Sequence, residues 1–241
     1  MNRPHTHFEE KMGSGKFSST DDDFHETISS IVEREPAREE LIHHFPVFTG
    51  HVNLARHLML YELYKKTENL AGNIADVGVW KGKSMFFFAK LVKTFEPYSK
   101  TQVHGFDWFE GMDPDPEKDS DTWTGMYDSD EERIVELIKE QSLQNFTILH
   151  NMDLTEHLQE FFNEHPYIRF KLVFIDCGIS DVLESSIKPF FEHMPPGGIL
   201  VLDHYNAKES PTESDHLEAV IGDRKIKQFD TVRSPTGYVI K

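Results

Sequence analysis

Short apolar runs alternate with amphipathic stretches along most of the chain, and this alternation predicts its architecture. The runs at 172–175 and 199–202 are apolar at every position, which is typical of strands buried on both faces of a sheet. Strands are predicted at 74–79, 102–107, 146–150, 171–176, 198–203, 226–229 and 237–240, and helices at 83–95, 131–142, 154–163, 181–193 and 212–222. This regular order predicts an α/β fold with a mainly parallel, doubly wound sheet that has helices on both faces.

The first 72 residues lack this alternation. Residues 1–23 are polar and contain closely spaced glycine and serine, which predicts a flexible arm. A helical pattern over 24–40 and a stronger one over 51–67 predict N-terminal helices, and in the second helix Leu54, Leu58 and Tyr61 have the spacing of a buried stripe. The chain therefore divides into an arm at 1–23, helices within 24–72 and a sheet domain at 73–241.

A long segment with neither pattern separates the strand at 102–107 from the helix that begins at 131. Segments of this length in a compact domain are often lids, and this one starts at the end of a strand, where open α/β sheets bind ligands. We therefore expect a lid over the substrate. Its aromatic residues suit either stacking on a sugar or aromatic ring or anchoring the lid to the core; they are Trp108, Phe109, Trp123 and Tyr127.

Acidic residues and glycines at the first two strand ends predict a nucleoside site. Asp76, Gly78 and Gly82 form a D-x-G-x-x-x-G turn between the first strand and its helix, and Asp107 ends the second strand. Such glycines let the turn approach a ligand, and a carboxylate in the second position holds ribose hydroxyls. The turn is not the G-x-G-x-x-G of dinucleotide binders, and its carboxylate lies where a pyrophosphate needs positive partners. S-adenosylmethionine is therefore favoured, with a purely structural glycine turn as the alternative.

The third strand is followed by Met152 and Asp153, which are suited to cover an adenine and to hold its amino group. A core-filling role for Met152 is the plain alternative. The residues that we assign to cofactor binding are Asp76, Gly78, Trp80, Gly82, Ser84, Asp107, Trp108, Met152, Asp153 and Asp176.

A second acidic group follows two later strands. Asp176 ends one strand, and Asp203 and His204 end the next, so the three are expected to converge at one edge of the sheet. Two carboxylates and a third ligand suit a divalent cation such as Mg²⁺, which lowers the pKa of a bound hydroxyl. Alternatively, each acid caps a helix or binds ribose, and His204 acts as a general base. Asp181 is read either as a helix cap or as a catalytic residue of the same site.

Composition narrows the partners. The formal net charge of the 241 residues is −17 and no Lys/Arg cluster is present, which argues against nucleic acid as a substrate. Cys177 is the only cysteine, which excludes an internal disulfide and a cysteine zinc cluster. The start lacks the apolar core of a signal peptide, and no apolar run reaches the roughly 20 residues of a membrane span. We therefore expect a cytoplasmic protein without a membrane partner, which forms a homodimer through its apolar N-terminal helices.

Several motifs together resemble the macrocin O-methyltransferase family. Residues 76–82 and 105–112 are similar to its G-V-W-[RK]-G and D-S-F-E-G-[LM] signatures, 181–185 to its D-L-Y-E-S and 196–205 to its P-G-G…D-D-Y. The resemblance implies a Rossmann-like class I methyltransferase that uses S-adenosylmethionine and Mg²⁺ to methylate a hydroxyl of a sugar or natural product. The chain departs from the pattern where His204 replaces the second aspartate, and where extra residues separate Asp176 from Asp181.

Three other functions are compatible with such a sheet. A nicotinamide-dependent dehydrogenase is disfavoured because the G-x-G-x-x-G turn is missing. A hydroxylase related to cephalosporin hydroxylase would hold iron through Asp176, Asp203 and His204. A non-catalytic protein would bind S-adenosylmethionine without transferring its methyl group. Within the methyltransferase hypothesis, the catalytic candidates are Asp181 and His204, and the sequence leaves open which one removes the proton.

Overall fold

The computed structural model describes residues 14–119, 124–206, 212–229, 231–232 and 236–241. The chain forms two compact units. One contains the described residues up to Met59 together with 231–232, and the other contains the rest. The predicted division into arm, helices and sheet domain stays a prediction.

The N-terminal part is helical. Helix α1 spans Ser14–Glu33, α2 Arg38–His43, α3 Phe45–Phe48 and α4 His51–Thr67. Helix α1 begins ten residues before the predicted start, within the segment read as a flexible arm, and residues 1–13 of that arm lie outside the described residues. The helix ends shortly before Pro36, which disfavours helical geometry in the residue before it. The bounds of α4 agree with the prediction.

The buried face of α4 differs from the expected one. Leu54 and Leu58 are 40% and 53% exposed, whereas Met59, Leu60 and Leu63 are fully buried. The predicted stripe through Leu54 and Leu58 is therefore wrong. Apolar residues occur on more than one face of this helix, so their spacing identifies the helix without deciding which face meets the core.

In the described part of the chain, the sheet has seven strands in the order β3-β2-β1-β4-β5-β7-β6, which confirms the predicted α/β fold class. The strands are β1 Asn73–Val77, β2 Val103–Asp107, β3 Thr147–Asn151, β4 Phe170–Ile175, β5 Ile199–Leu202, β6 Lys227–Gln228 and β7 Gly237–Ile240. The first five pair in parallel. Strand β7 is antiparallel to both of its neighbours, a reversal that the alternation of strands and helices did not predict.

The helices between the strands begin and end close to the predicted residues. They are α5 Lys83–Phe95, α6 Glu131–Glu140, α7 Leu154–Glu164, α8 Ser180–Glu192 and α9 Thr212–Ile221. In the described part of the chain, no helix has the length and apolar character needed to cross a membrane.

Phenylalanine rings fill much of the core on one side of the sheet. Phe106 on β2 packs edge-to-face against Phe161 of α7 and Phe190 of α8, with ring centroids 5.4 and 5.3 Å apart. These contacts combine large apolar burial with a favourable ring geometry. They fix the two helices against the central strands, whose carboxyl ends form the site.

Candidate active site

The turn after β1 approaches the end of β4 closely. Gly78 has a φ of +90°, and a Cβ there would lie 2.4 Å from the backbone oxygen of Asp176. A side chain is therefore excluded both by the backbone conformation and by space. Gly82, with a φ of +86°, then begins α5 as its N-cap residue. The glycines predicted to shape this turn are thus needed for its geometry.

Asp76 stabilises the same turn through a buried hydrogen bond. It is fully buried in β1, and its Oδ2 accepts a 2.9 Å hydrogen bond from the hydroxyl of Ser84, in the first turn of α5. The contact joins strand and helix across the glycine turn. The predicted binding of the methionine end of the cofactor by Asp76 and Ser84 stays a prediction.

Asp107 lies next to this turn, at the end of β2. Its Oδ2 accepts a 2.8 Å hydrogen bond from the backbone N–H of Trp80, and its Oδ1 accepts one of 2.8 Å from the N–H of Phe109. Trp80 has a φ of +47°, which is uncommon outside glycine. Asp107 therefore fixes both the β1–α5 turn and the start of the lid, and its carboxylate retains further lone pairs for a ligand hydroxyl.

The residues after β3 adjoin the same edge of the sheet. The backbone N–H of Met152 donates to the backbone oxygen of Asp107 at 2.9 Å, so the predicted ribose and adenine positions are neighbours. Asp153 is the N-cap of α7, and its Oδ1 accepts 2.8 Å from the N–H of Thr155. This capping bond is the expected use of an aspartate at a helix start. A role for Asp153 towards adenine stays a prediction.

The lid has no helix or strand in its described residues, 108–119 and 124–130. Trp108 donates from Nε1 to the backbone oxygen of Gly111, which folds the start of the lid on itself. Tyr127 packs edge-to-face on Trp80 with centroids 5.3 Å apart, and the Ser129 hydroxyl donates to the backbone oxygen of Trp80 at 2.9 Å. Trp123 lies outside the described residues. The lid therefore contacts the glycine turn at Trp80.

The lid also reaches the start of α8. Lys118 Nζ lies 2.6 Å from Oδ1 of Asp181, and Oδ1 of Asp119 accepts a 2.9 Å hydrogen bond from the N–H of Ser180. The N-cap residue of α8, Ile179, provides no side-chain cap, so Asp119 supplies the acceptor from the lid. Asp181 itself is exposed and paired with a lysine. It does not belong to the acidic cluster described next.

Asp176, Asp203 and His204 converge as predicted. One ligand atom from each lies within 4.8 Å of the others, and His204 Nδ1 is 3.9 Å from Asp176 Oδ1 and 4.0 Å from Asp203 Oδ2. Asp203 is almost fully buried, and its Oδ1 accepts a 3.2 Å hydrogen bond from the hydroxyl of Thr236. Strands β4 and β5 pair in parallel, which brings their carboxyl ends together. Gly78 approaches the backbone of Asp176 closely, so this cluster adjoins the glycine turn.

The cluster is compatible with a divalent cation. Ligands about 2.1 Å from an octahedral ion lie about 3.0 Å apart when adjacent and about 4.2 Å apart when opposite. His204 Nδ1 is 3.9 and 4.0 Å from the two carboxylate oxygens, so small side-chain movements would bring all three onto one ion. Two carboxylates suit Mg²⁺, whereas an imidazole in the set also suits Mn²⁺ or Fe²⁺. The residues therefore fit a metal by distance, and their donor atoms do not select magnesium alone.

Glu213 is a feature of this region that sequence reasoning missed. It lies in the first turn of α9, is fully buried, and accepts a 3.2 Å hydrogen bond at Oε2 from the backbone N–H of His204. Partial burial, followed by the charge of Glu213, raises the pKa of the Cys177 thiol well above its usual range. Glu213 is therefore close to the ends of both β4 and β5. The spacing of apolar residues in α9 does not indicate that the carboxylate of Glu213 is buried.

Comparison with known proteins identifies the chain's relatives. A family model described as macrocin-O-methyltransferase (TylF) matches residues 54–228. No curated protein matches the chain. Among solved structures, the calicheamicin methyltransferase CalS11 is 20% identical with a TM-score of 0.81, over 89% of this chain and 91% of that one.

Two other solved structures share the fold. The O-methyltransferase NovP is 14% identical with a TM-score of 0.63, over 78% of this chain and 79% of that one. An O-methyltransferase from Bacillus cereus is 11% identical with a TM-score of 0.52, over 90% and 91%. The family match covers the glycine turn, the lid and the acidic cluster.

Proposed function

Because this chain belongs to the macrocin O-methyltransferase family and is an S-adenosylmethionine-dependent O-methyltransferase, we propose that it methylates a hydroxyl of a sugar or natural product. The family match carries this proposal, since it spans both the cofactor turn and the acidic cluster. It also decides against the hydroxylase and dehydrogenase alternatives. The remaining steps concern the acceptor, the cation and the role of each residue.

The cofactor would occupy the carboxyl edge of β1, β2 and β3. Asp107 would hold the ribose hydroxyls, Met152 would cover the adenine, and the turn from Gly78 to Gly82 would hold the methionine end. Supporting this arrangement, the backbone of Trp80 and the backbone of Met152 both hydrogen-bond to Asp107. The three regions therefore form one continuous surface.

Methyl transfer requires little covalent chemistry from the protein. The acceptor oxygen attacks the methyl carbon in line with the carbon–sulfur bond, which breaks and leaves its electrons on sulfur. The sulfonium becomes neutral S-adenosylhomocysteine, and the acceptor hydroxyl gives its proton to a base. Positioning oxygen, carbon and sulfur in line is therefore the main task of the site.

A divalent cation, with magnesium as the first candidate, would be held by Asp176, Asp203 and His204. It would lower the pKa of the acceptor hydroxyl and neutralise its developing charge. The spacing of the three side chains supports this proposal. The buried Asp203, fixed by Thr236, would be the most rigid of them.

The general base is proposed to be His204, with Asp181 as the second candidate. His204 lies within the acidic cluster, whereas Asp181 is exposed and its Oδ1 is paired with Lys118 at 2.6 Å. An imidazole that binds a metal cannot also accept the acceptor's proton. His204 would therefore be the base only if Asp176 and Asp203 hold the cation without it, and Asp181 would be the base otherwise.

A sugar acceptor is supported by the described relatives. CalS11 is named a TDP-rhamnose 3'-O-methyltransferase, and it resembles this chain over most of its length. The aromatic residues of the lid, Trp108 and Tyr127, offer flat apolar surfaces of the kind that stack on sugar rings. The cytoplasmic location and the homodimer stay predictions.

The test is a methyl-transfer assay with S-adenosylmethionine and a panel of nucleotide-linked and natural-product sugars, read by mass spectrometry. We expect one acceptor class to gain a methyl group, and a chelator to reduce turnover while cofactor binding persists. Asp203→Asn should lose both Mn²⁺ binding, measured by electron paramagnetic resonance, and turnover, whereas Asp223→Asn at an exposed turn should lose neither. Full activity in chelator would remove the cation from the proposal. Transfer to none of the hydroxyl acceptors would contradict the acceptor class.

A further inference from the structure

A cavity of about 520 Å³ lies at the opposite edge of the sheet from the cofactor turn. It is lined by residues at the amino ends of β1, β2 and β4 and by the segment that joins α7 to β4, together with Ile148 and His150 of β3 and Phe161 of α7. Asp107 and Asp176 are at the carboxyl ends of their strands, so the cavity is not part of the proposed methyl-transfer site. No step described above involves it.

Among the residues that the structure describes, the cavity is lined by a positively charged residue and no acidic one, whereas the chain as a whole has a net negative charge. The sequence has 42 acidic residues against 25 Lys and Arg, yet none of the twelve described residues that line the cavity is acidic. Arg169 provides a permanent positive charge at its rim. Within the described residues its side chain donates from Nη1 to the backbone oxygens of Pro166 and Ile168 at 2.9 and 2.7 Å, so Nη2 and Nε remain as donors for a ligand.

Other cations reinforce this corner of the molecule. Partial burial and the charges of Arg169 and Arg224 lower the pKa of the Lys241 side chain, while Glu192 acts in the opposite sense. The three cations are therefore within electrostatic reach of one another. In an acidic protein, such a group attracts anions locally.

Rings form much of the wall. His104, His150 and His165 line the cavity together with Phe161 and Tyr167. His104 Nδ1 and His150 Nε2 are hydrogen-bonded at 2.9 Å, and the two imidazoles are stacked with an interplanar angle of 16°. Flat apolar and heteroaromatic surfaces of this kind favour a flat ligand over a branched aliphatic one.

One imidazole nitrogen at the inner wall lacks a partner. His104 is only 5% exposed, and among the described residues no group hydrogen-bonds to its Nε2. A buried polar atom in this state costs free energy, and such atoms in native proteins usually have a role. The atom lies beneath the accessible surface of the wall, so it marks a polar interior behind the rings.

From the missing carboxylates, the cationic rim and the ring-lined wall, we propose that this cavity binds a small organic anion consisting of a flat ring with a carboxylate. The carboxylate pairs with Arg169, and the ring lies against the imidazoles. The site is separate from methyl transfer, and it holds whether or not the acceptor proposed above is correct.

Sodium benzoate is the probe, used with the full chain saturated with S-adenosylhomocysteine. The readout is the ring C–H resonances of His104 and His150 by NMR, with affinities from calorimetry. We expect saturable shifts of both histidines, with a dissociation constant on the order of 1 mM for a ligand of this size. Benzamide has the same ring without the charge, cyclohexanecarboxylate has the charge without the flat ring, and both should bind more weakly.

Variants separate the anion contact from general effects. Arg169→Gln should weaken benzoate roughly tenfold, as expected for loss of a charge-assisted hydrogen bond, and Arg169→Lys should retain part of the affinity. Arg133→Gln, on the exposed face of α6, removes the same charge elsewhere and should leave benzoate binding unchanged. Retained binding of S-adenosylhomocysteine by each variant verifies the fold.

Three results would overturn the proposal. The first is the absence of saturable histidine shifts in the unmodified protein, which does not depend on any variant. The second is equal affinity for benzamide and benzoate, which would show that the negative charge does not contribute to binding. The third is displacement of S-adenosylhomocysteine by benzoate, which would assign the probe to the methyl-transfer site. Failure to find a methyl acceptor would leave all three readouts intact.

Discussion

The backbone N–H of Trp80 donates a 2.8 Å hydrogen bond to Oδ2 of Asp107, joining the glycine turn after β1 to the end of β2. One oxygen of the carboxylate thereby holds the backbone of the glycine turn. The other oxygen holds Phe109, the second residue of the lid. A change at Asp107 therefore affects both the glycine turn and the lid.

Asp107→Asn should weaken S-adenosylmethionine binding by about tenfold to a hundredfold, because hydrogen bonds to a charged group contribute about 1.5 to 3 kcal/mol. Calorimetry with S-adenosylhomocysteine measures the change. Asp223→Asn removes an exposed acid from the turn after α9 and serves as the matched control. Equal affinities for the two variants would show that Asp107 does not hold the nucleoside.

Gly78→Ala should disrupt the cofactor turn, because the new Cβ would lie 2.4 Å from the backbone oxygen of Asp176. Gly222→Ala is the control, since Gly222 also has a positive φ, of +61°, but nothing lies within 4 Å of a Cβ there. The control should lose only about 1 kcal/mol in the free energy of unfolding. Denaturant titration and cofactor binding distinguish the two, and similar losses in both would refute the close approach.

Glu213→Gln should weaken cation binding without removing any proposed cation ligand. The amide keeps an oxygen acceptor for the His204 N–H but loses the charge beside the ends of β4 and β5. We expect Mn²⁺ to bind several-fold more weakly while S-adenosylhomocysteine binds normally, with Glu218→Gln as a more exposed control on the same helix. Unchanged Mn²⁺ affinity would limit Glu213 to a structural role.

The stability of the protein should fall in mild acid. Burial, with the nearby histidines, lowers the pKa of His104 to about 3 and that of His150 to about 4. Between about pH 6.5 and those values, the unfolded chain binds protons that the folded chain does not, so the free energy of unfolding decreases as the pH falls. Each imidazole contributes a loss of about 2 kcal/mol by pH 5.

Urea unfolding at a series of pH values measures this loss. The double variant His104→Phe/His150→Phe should flatten the dependence on pH, whereas His43→Gln, at an exposed position of α2, should not. A slope that is unchanged in the double variant would assign acid sensitivity to other groups.

Asp119→Ala should loosen the lid at its contact with α8. The variant removes the acceptor for the Ser180 N–H, and loss of a helix cap costs about 1 kcal/mol. We expect faster hydrogen exchange of the Ser180 amide and faster proteolysis within the lid, at nearly unchanged global stability. Lys118→Ala, which breaks an exposed pair with Asp181, should have a smaller effect because exposed ion pairs contribute little.

Lys188→Ala on the outer face of α8 is the control for both lid variants, since Lys188 pairs with Glu192 at 4.0 Å, away from the lid. Exchange at Ser180 that is equally slow in Asp119→Ala and in the control would show that the lid does not cap α8.

The parts of the fold that depend on local pattern were predictable. Strands β2 and β4 and helix α5 begin and end within one residue of expectation, because each is marked by its own apolar spacing. The convergence of Asp176 with Asp203 also followed from sequence, since parallel neighbours place their carboxyl ends together. The parallel pairing of β4 and β5 thus brings together two residues that are far apart in sequence.

Other features depend on tertiary contacts and could not be predicted. The burial of Glu213 and the capping of α8 by Asp119 arise from residues far apart in sequence, with no spacing rule that connects them. The face of α4 was assigned wrongly because Leu58 and Met59 are equally apolar, and only packing distinguishes them. Burial and capping of this kind depend on contacts specific to this fold, which local sequence spacing does not encode.

Strand β7 is the last of the seven in sequence, yet it lies between β5 and β6, with Val239 fully buried. During synthesis on the ribosome, this edge of β5 therefore has no strand to pair with until residues 237–240 have emerged. Until then an apolar strand edge is open to pairing with other chains. Residues 237–240 thus cover the edge of β5, and deleting them would favour aggregation of the newly made protein.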